Sequence, residues 1–415
     1  LTTALRRSFN SLEVPNYRRY FTGQVISLSG NWMQTVTALW LVLSLTNSGF
    51  AVGLTTALQF LPMLLFGAYG GLLADRFPKR KLLFVTQILM TIPAAGLLLV
   101  TAFHVEEPWM IFLAVFLFGA VNCVDNPTRQ SFVIEMVGQD RLVNAVSLNS
   151  VIIEVARIVG PAIAGVLIAT VGVVPCFAIN LATFAAMLLA LWSMDPRALQ
   201  APPPATRKRG AIRDGLRHVR RTPELAVPLA LMALVGTLGF NFQVALPLLA
   251  KFTFGGGAGS YAVLVCSMGV GSITAALVNG HRGKTGGAVI AAASLAFGVA
   301  ALLAAVMPDL ILEAIMLAAL GGAAVIFVSS VNSTIQLAVS AEMRGRVMAL
   351  FSIVFLGSTP IGGPLTGWLA EAYDPRLTLV LAGISGLSAA WAARVIFTRM
   401  SERAGAQARP LEASV

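Results

Sequence analysis

The sequence predicts an all-α integral membrane protein with twelve transmembrane helices in two pseudo-symmetric six-helix bundles. Three observations carry this expectation. Of 415 residues, 57% are hydrophobic and 11% charged, against about 25% charged in soluble proteins. The apolar residues form long runs, and nearly all Lys and Arg residues fall between them. The second half of the chain repeats marks of the first.

A helix crossing roughly 30 Å of hydrocarbon needs about 20 mainly apolar residues. Twelve such segments are expected, at 20–45, 50–73, 82–103, 109–130, 143–171, 174–194, 225–249, 259–280, 286–306, 310–335, 346–371 and 377–398. Turn chemistry marks the breaks at Thr46-Asn47-Ser48-Gly49, Glu106-Glu107-Pro108, Pro308-Asp309 and Asp374-Pro375. The first apolar run is full length and follows a basic N-terminus, so no cleavable signal peptide is expected.

Lys and Arg set the orientation. With the N-terminus placed in the cytoplasm, all of the 29 basic residues fall to that side except Lys251, Arg376 and the intramembrane Arg157. This obeys the positive-inside rule with both termini cytoplasmic. The net charge of +11 therefore reads as topology and not as nucleic-acid binding. Cys123, Cys176 and Cys266 lie in apolar runs without disulfide or metal spacing, and His104, His218 and His281 lie at loop positions. Neither a metal site nor a cofactor is expected. The outer loops are too short for a docking or catalytic domain, which argues against a receptor, a scaffold or an enzyme. A monomer in contact with membrane lipid is expected.

The longest polar stretch, 195–224, divides the chain into an N-terminal bundle, 1–194, and a C-terminal bundle, 225–415, with a short cytoplasmic tail. Within it, Ala211–Arg221 fits either a basic interfacial helix on anionic headgroups or a solvated linker. At an offset of about 203 residues, Gly160-Pro161 falls on Gly363-Pro364, and Gly165 lies within one residue of Gly367. Asp140-Arg141 falls on Met343-Arg344, and Lys79 and Lys81 on Arg282 and Lys284. Such a duplication suggests two bundles that rock for alternating access.

The loop after span two reads Gly71-Leu72-Leu73-Ala74-Asp75-Arg76-Phe77-Pro78-Lys79-Arg80-Lys81. It resembles the signature loop of the major facilitator superfamily, with Pro78 in place of the usual second glycine. The second-half copy keeps Arg282 and Lys284 and lacks the acid. The resemblance covers the whole chain and implies the major facilitator fold. It also implies a cytoplasmic latch at Asp75, in a loop opened by Gly71, with Arg76 and Arg80 as its basic partners. The alternative is that Arg76–Lys81 only fix topology.

Asp125-Asn126-Pro127-Thr128-Arg129-Gln130 ends span four. It resembles an element of the superfamily branch that holds siderophore, macrolide and multidrug exporters, the enterobactin exporter among them. Asp125 and Arg129 pair at i,i+4 if the helix continues through Pro127; a part in gating with the latch and a structural ion pair both fit. Span five carries Glu154 and Arg157, three apart on one face. Arg157 lies roughly 15 Å inside a helix entering near Ser147, where ionisable residues are functional by default. A cavity role and a self-neutralising structural pair are the two readings. Pro161 lacks an N–H for the Arg157 carbonyl and predicts a bend, as does Gly363-Pro364 in span eleven.

Asn31 and Gln34 in span one, and Asn241 and Gln243 in span seven, are candidate substrate contacts or interhelical hydrogen-bonding groups. The resemblance favours the first, because spans one, four, seven and ten line the cavity in this superfamily. Trp32, Phe60, Phe240 and Phe242 offer an aromatic lining. No phosphate-binding loop is present, so an ion gradient is expected to drive transport. Glu154 and Asp125 are the acids well inside spans, and are the candidate proton-coupling sites. The reading that follows is a proton antiporter exporting an amphipathic small molecule such as a drug or siderophore from a bacterial inner membrane. A lysophospholipid flippase or a small-metabolite importer is the alternative.

Overall fold

A computed structural model describes residues 10–200, 211–282 and 286–408, and every regular element among these residues is helical. The first six spans are Pro15–Thr46, Gly49–Arg76, Lys79–Ala102, Pro108–Val137, Leu142–Thr170 and Val174–Trp192. Span seven is Pro223–Gly239, continued by Phe242–Leu248 and a wide π-turn, Leu249–Thr253. Spans eight to ten are Ala258–Arg282, Gly287–Ala305 and Leu310–Ala338. Span eleven is Ala341–Gly357 continued by Thr359–Ala372, and span twelve is Arg376–Ala408.

Among the described residues, eleven spans are long and apolar enough to cross a membrane. Span one falls outside that set although its 32 residues reach about 48 Å. Its middle carries Gln24, Asn31 and Gln34 instead of aliphatic residues, and Gln24 and Gln34 are buried against other helices. A helix shielded from lipid by its neighbours tolerates such residues.

Each expected break is a helix boundary with an identifiable cause. Asn47 caps span one in the left-handed conformation, with φ of 51°. The Ser48 hydroxyl then accepts the N–H of Ala51 at the start of span two. Pro108 opens span four. Asp309 accepts the N–H groups of Ile311 and Leu312 at the start of span ten.

The packing repeats between the halves. Span two packs on four, three on six, three on four and one on six. Correspondingly, eight packs on ten, nine on twelve, nine on ten and seven on twelve. The halves meet along two equivalent seams, two against eleven and five against eight. Glycines allow backbone contact there: Gly53 abuts the Gly363 carbonyl, Gly367 the Gly49 carbonyl and Gly165 the Cβ of Ala262.

The contacts correct the register of the repeat. Gly160 lies against the span-one backbone at Ser29 and Met33, and its counterpart against span seven is Gly362, on the Thr237 carbonyl. Gly165 and Gly367 are likewise equivalent across the seams. The repeat is therefore one residue shorter here than the Gly-Pro match suggests, and Gly363 corresponds to Pro161. The expected bend also moves. Pro161 lies inside an unbroken helix, whereas span eleven breaks at Ser358, ahead of Pro360 and not at Gly363-Pro364.

The linker segment Ala211–Arg221 is helical and packs on the first part of span eleven. Val219 is buried there, while Arg217, Arg220 and Arg221 are exposed. Pro202–Pro204 and Lys284 lie outside the described residues, as do the side chains of His281 and Arg282.

One consequence is testable. A Cβ at Gly160 would sit 2.6 Å from the Ser29 carbonyl oxygen and 2.8 Å from the Met33 nitrogen. Gly160→Val is expected to lower stability by about 1–3 kcal/mol or more through overpacking, read as a drop in unfolding temperature in detergent. Gly96→Val, where a Cβ meets nothing within 4 Å, is expected to leave it nearly unchanged.

Candidate functional site at the seam between the halves

Span five is held against span one by Gly160, whose missing side chain makes room for Trp32. One turn earlier, Arg157 lies over the Trp32 ring, with its guanidinium carbon 5.1 Å from the centroid. Arg157 also pairs with Glu154 at 3.5 Å, the i,i+3 spacing placing both on one side of the helix. Four residues on from Glu154, Ile158 packs on Gly269 of span eight, and its carbonyl accepts from the Cys266 thiol at 3.4 Å. Glu154 therefore lies on the stripe of span five that faces the other half.

This pair retains unused bonding capacity. The side chains of Arg157 and Glu154 are 39% and 27% exposed, yet Glu154 Oε2 and Arg157 Nε are buried without a hydrogen-bond partner. The carbonyl oxygens of Asn31 and Gln243 are unpartnered in the same way. These four atoms are shielded and hold no internal hydrogen bond, whereas most buried polar atoms do.

Other candidate residues are placed differently. Gln34 is 4% exposed and accepts from Asn180 of span six at 2.6 Å. It is turned into the first half, because Gly30 on the same stripe lies against Asn180 and Thr183. Asn241 is also 4% exposed. It donates to the Thr237 carbonyl where span seven breaks, and it lines a small pocket with Phe242, Thr366 and Thr378. Phe240 and Phe242 pack with Phe297, and Phe240 also meets Phe327 and Phe355. That aromatic cluster joins spans seven, nine, ten and eleven of the second half, with Phe240 and Phe242 themselves partly exposed.

Asp125 and Arg129 form a separate buried cluster. Span four continues through Pro127, and Arg129 Nε pairs with Asp125 Oδ2. The other carboxylate oxygen accepts from Thr86 Oγ1 at 2.6 Å and Gln87 Nε2 at 2.9 Å, both on span three. Arg129 lies two turns inside the helix instead of at its end. Its Nη1 and Nη2 atoms are buried, and the Tyr20 hydroxyl of span one lies beside the guanidinium. The cluster is enclosed within the first half and does not reach the seam.

At the loop after span two, Asp75 is half-buried and Arg76 exposed. Arg80 departs from the expected partnership with Asp75. It donates to the carbonyls of Leu191, at 2.8 Å, and Trp192, at 3.1 Å, at the C-terminus of span six. A cation there complements the helix dipole. Lys79 pairs with Glu135 of span four at 3.7 Å. The basic run thus ties the loop to its own half. Gly70 makes a close approach to the Cys123 carbonyl.

Sequence reading missed several residues. Glu371 and Lys251 join the halves on the face opposite the basic loops. Trp40 of span one stacks on Tyr261 of span eight, also between the halves, with centroids 6.2 Å apart. Glu313, in the first turn of span ten, is 1% exposed with neither oxygen hydrogen-bonded.

A family model described as transmembrane secretion effector matches residues 7–412. The chain is 26% identical over 377 residues to the staphyloferrin A transporter of Staphylococcus aureus, covering 88% of this chain and 92% of that one. It is 22% identical over 373 residues to macrolide efflux protein A of Streptococcus pyogenes, covering 88% and 91%. The enterobactin exporter EntS of Escherichia coli is 25% identical over 381 residues, covering 89% and 88%. In fold, the chain matches crystal structures of the nucleoside transporter NupG, with TM-score 0.72 at 13% identity and coverage of 92% and 99%. It matches the POT family transporter PepTSo with TM-score 0.72 at 11% identity, covering 94% and 99%.

Proposed function

The chain belongs to the transmembrane secretion effector family of major facilitator transporters, and from that premise we propose that it is a proton-coupled exporter of amphipathic small molecules. Its bundles, 1–194 and 225–415 joined by 195–224, rock about a site at the seam. The observation that carries this reading is the Glu154–Arg157 pair. It sits part-exposed on the stripe of span five facing the other half, with a free acceptor and a free donor. A carboxylate held by a guanidinium takes up a proton when substrate or rocking draws that partner away. Arg157, Asn31 and Gln243 are the substrate contacts in this scheme, Trp32 is the aromatic wall, and Glu154 is the proton site. The protein works as a monomer in a bacterial inner membrane, with its basic face and both termini in the cytoplasm.

Export is supported by the names of relatives described for siderophore export and macrolide efflux. Strains lacking and overproducing the protein would be compared for drug susceptibility and secreted siderophore. A change confined to one compound class is expected, in opposite directions in the two strains. No change in either class, with flux only inward in proteoliposomes, would overturn export.

A further inference from the structure

We propose that Glu371 and Lys251 form the gate of the face opposite the basic loops, clamping the turn between spans one and two to the second half. This turn places two helix ends within a few residues. Span one ends in carbonyls beyond its last regular turn, the Leu43 carbonyl accepting the Asn47 N–H, and span two begins with N–H groups that its own helix does not use, of which Ser48 Oγ accepts that of Ala51. The first end carries partial negative charge and the second partial positive charge.

Each charge of the second half meets the end of opposite sign. Glu371, near the end of span eleven, accepts from Ser48 Oγ at 2.6 Å and from the Phe50 N–H at 2.8 Å. Lys251, in the π-turn closing span seven, donates to Asn47 Oδ1 at 2.7 Å and to the Leu43 carbonyl at 3.1 Å. All four bonds cross between the halves. Beneath them, Gly49 and Gly53 touch Gly367 and Gly363 backbone to backbone. Closing of the seam therefore brings the charges and the helix ends into register.

The charge distribution supports the assignment. This face carries Lys251 and Arg376 as its basic residues. Arg376 donates to the Met307 carbonyl of its own half, whereas both bonds of Lys251 cross. When the halves rock apart on this side, the four bonds break together and water replaces them. Their number and strength bias the transporter toward the state closed on this face. The inference rests on rocking of the halves, and not on the identity of the substrate or on the role of Glu154.

The test measures opening directly. Spin labels replace Phe103 and Tyr373, which are 72% and 70% exposed and lie at span ends of different halves on this face. The background lacks Cys123, Cys176 and Cys266, and distances are measured by pulsed electron resonance in lipid nanodiscs without substrate. Glu371→Ala and Lys251→Met are each expected to raise the long-distance population about three- to tenfold, as loss of charge-assisted hydrogen bonds implies. Glu371→Gln, which keeps an acceptor, is expected to fall between wild type and Glu371→Ala. Ser48→Ala removes one donor without touching either charge, gives a smaller shift in the same direction, and decides the matter if the other variants do not fold. Unchanged distances in these variants, or an equal shift from Glu107→Ala on the same face, would overturn the gate. Because no flux is read, a failure of the export proposal leaves this result standing.

Discussion

Glu154→Gln is expected to reduce pH-gradient-driven efflux to the rate of protein-free vesicles, while the purified variant still binds the compound identified by the susceptibility panel. Glutamine matches the side chain in shape and can still accept from Arg157, but it cannot carry a proton. The seam geometry around Trp32 and Gly160 should therefore survive, and only coupling should be lost. The decisive measurement is uptake into inverted proteoliposomes across an imposed pH gradient, with binding followed by thermal shift. Efflux by Glu154→Gln that still follows the gradient would remove Glu154 from the coupling mechanism. Arg157→Lys is expected to be a weaker defect. It keeps the charge but loses the planar group that lies over Trp32.

The spans and their boundaries were legible because membrane helices write their length into the local sequence. Turn residues at Asn47-Ser48 and Asp309 act within a few positions of themselves. Glu154 and Arg157 were legible for the same reason: three residues on a helix fix a shared face without knowledge of the neighbours. Legibility ended where the neighbouring helices decide. Gln34 and Asn31 are three residues apart on span one, yet Gln34 is spent on Asn180 while the Asn31 carbonyl stays unpartnered. Arg80 follows Asp75 closely in sequence, but the carbonyl ends of span six lie within its reach. The Glu371 clamp joins positions 323 residues apart, and no local pattern marks an acid that will meet a helix end from the other half. The repeat was visible, but its register was misjudged by one residue: the Gly-Pro coincidence outweighed Gly165 and Gly367, whose packing is the equivalent feature.

Asp125 is the second candidate proton-coupling acid, and its enclosure gives it a different expected phenotype. Asp125→Asn removes the charge facing Arg129 and leaves a guanidinium 7% exposed with only the neutral Tyr20 hydroxyl beside it. An uncompensated buried charge costs about 3–5 kcal/mol, so a large fall in unfolding temperature is expected, along with poor yield. Replacing both partners by apolar residues of similar volume, Asp125→Leu with Arg129→Met, removes the desolvated charges together. Such exchanges are often neutral, so the double variant should recover most of the lost stability, short of the bonds from Thr86 and Gln87. Transport then separates the two roles that the sequence left open. A stable double variant that still couples efflux to the pH gradient makes the pair a structural tie between spans three and four. A stable double variant that binds substrate but no longer follows the gradient would place Asp125 beside Glu154 in the proton path. Equal instability of the single and double variants would mean that the bonds from Thr86 and Gln87, and not the uncompensated charge of Arg129, set the cost of losing Asp125. The enclosed geometry, with every contact of the carboxylate supplied from within the first half, favours the structural tie.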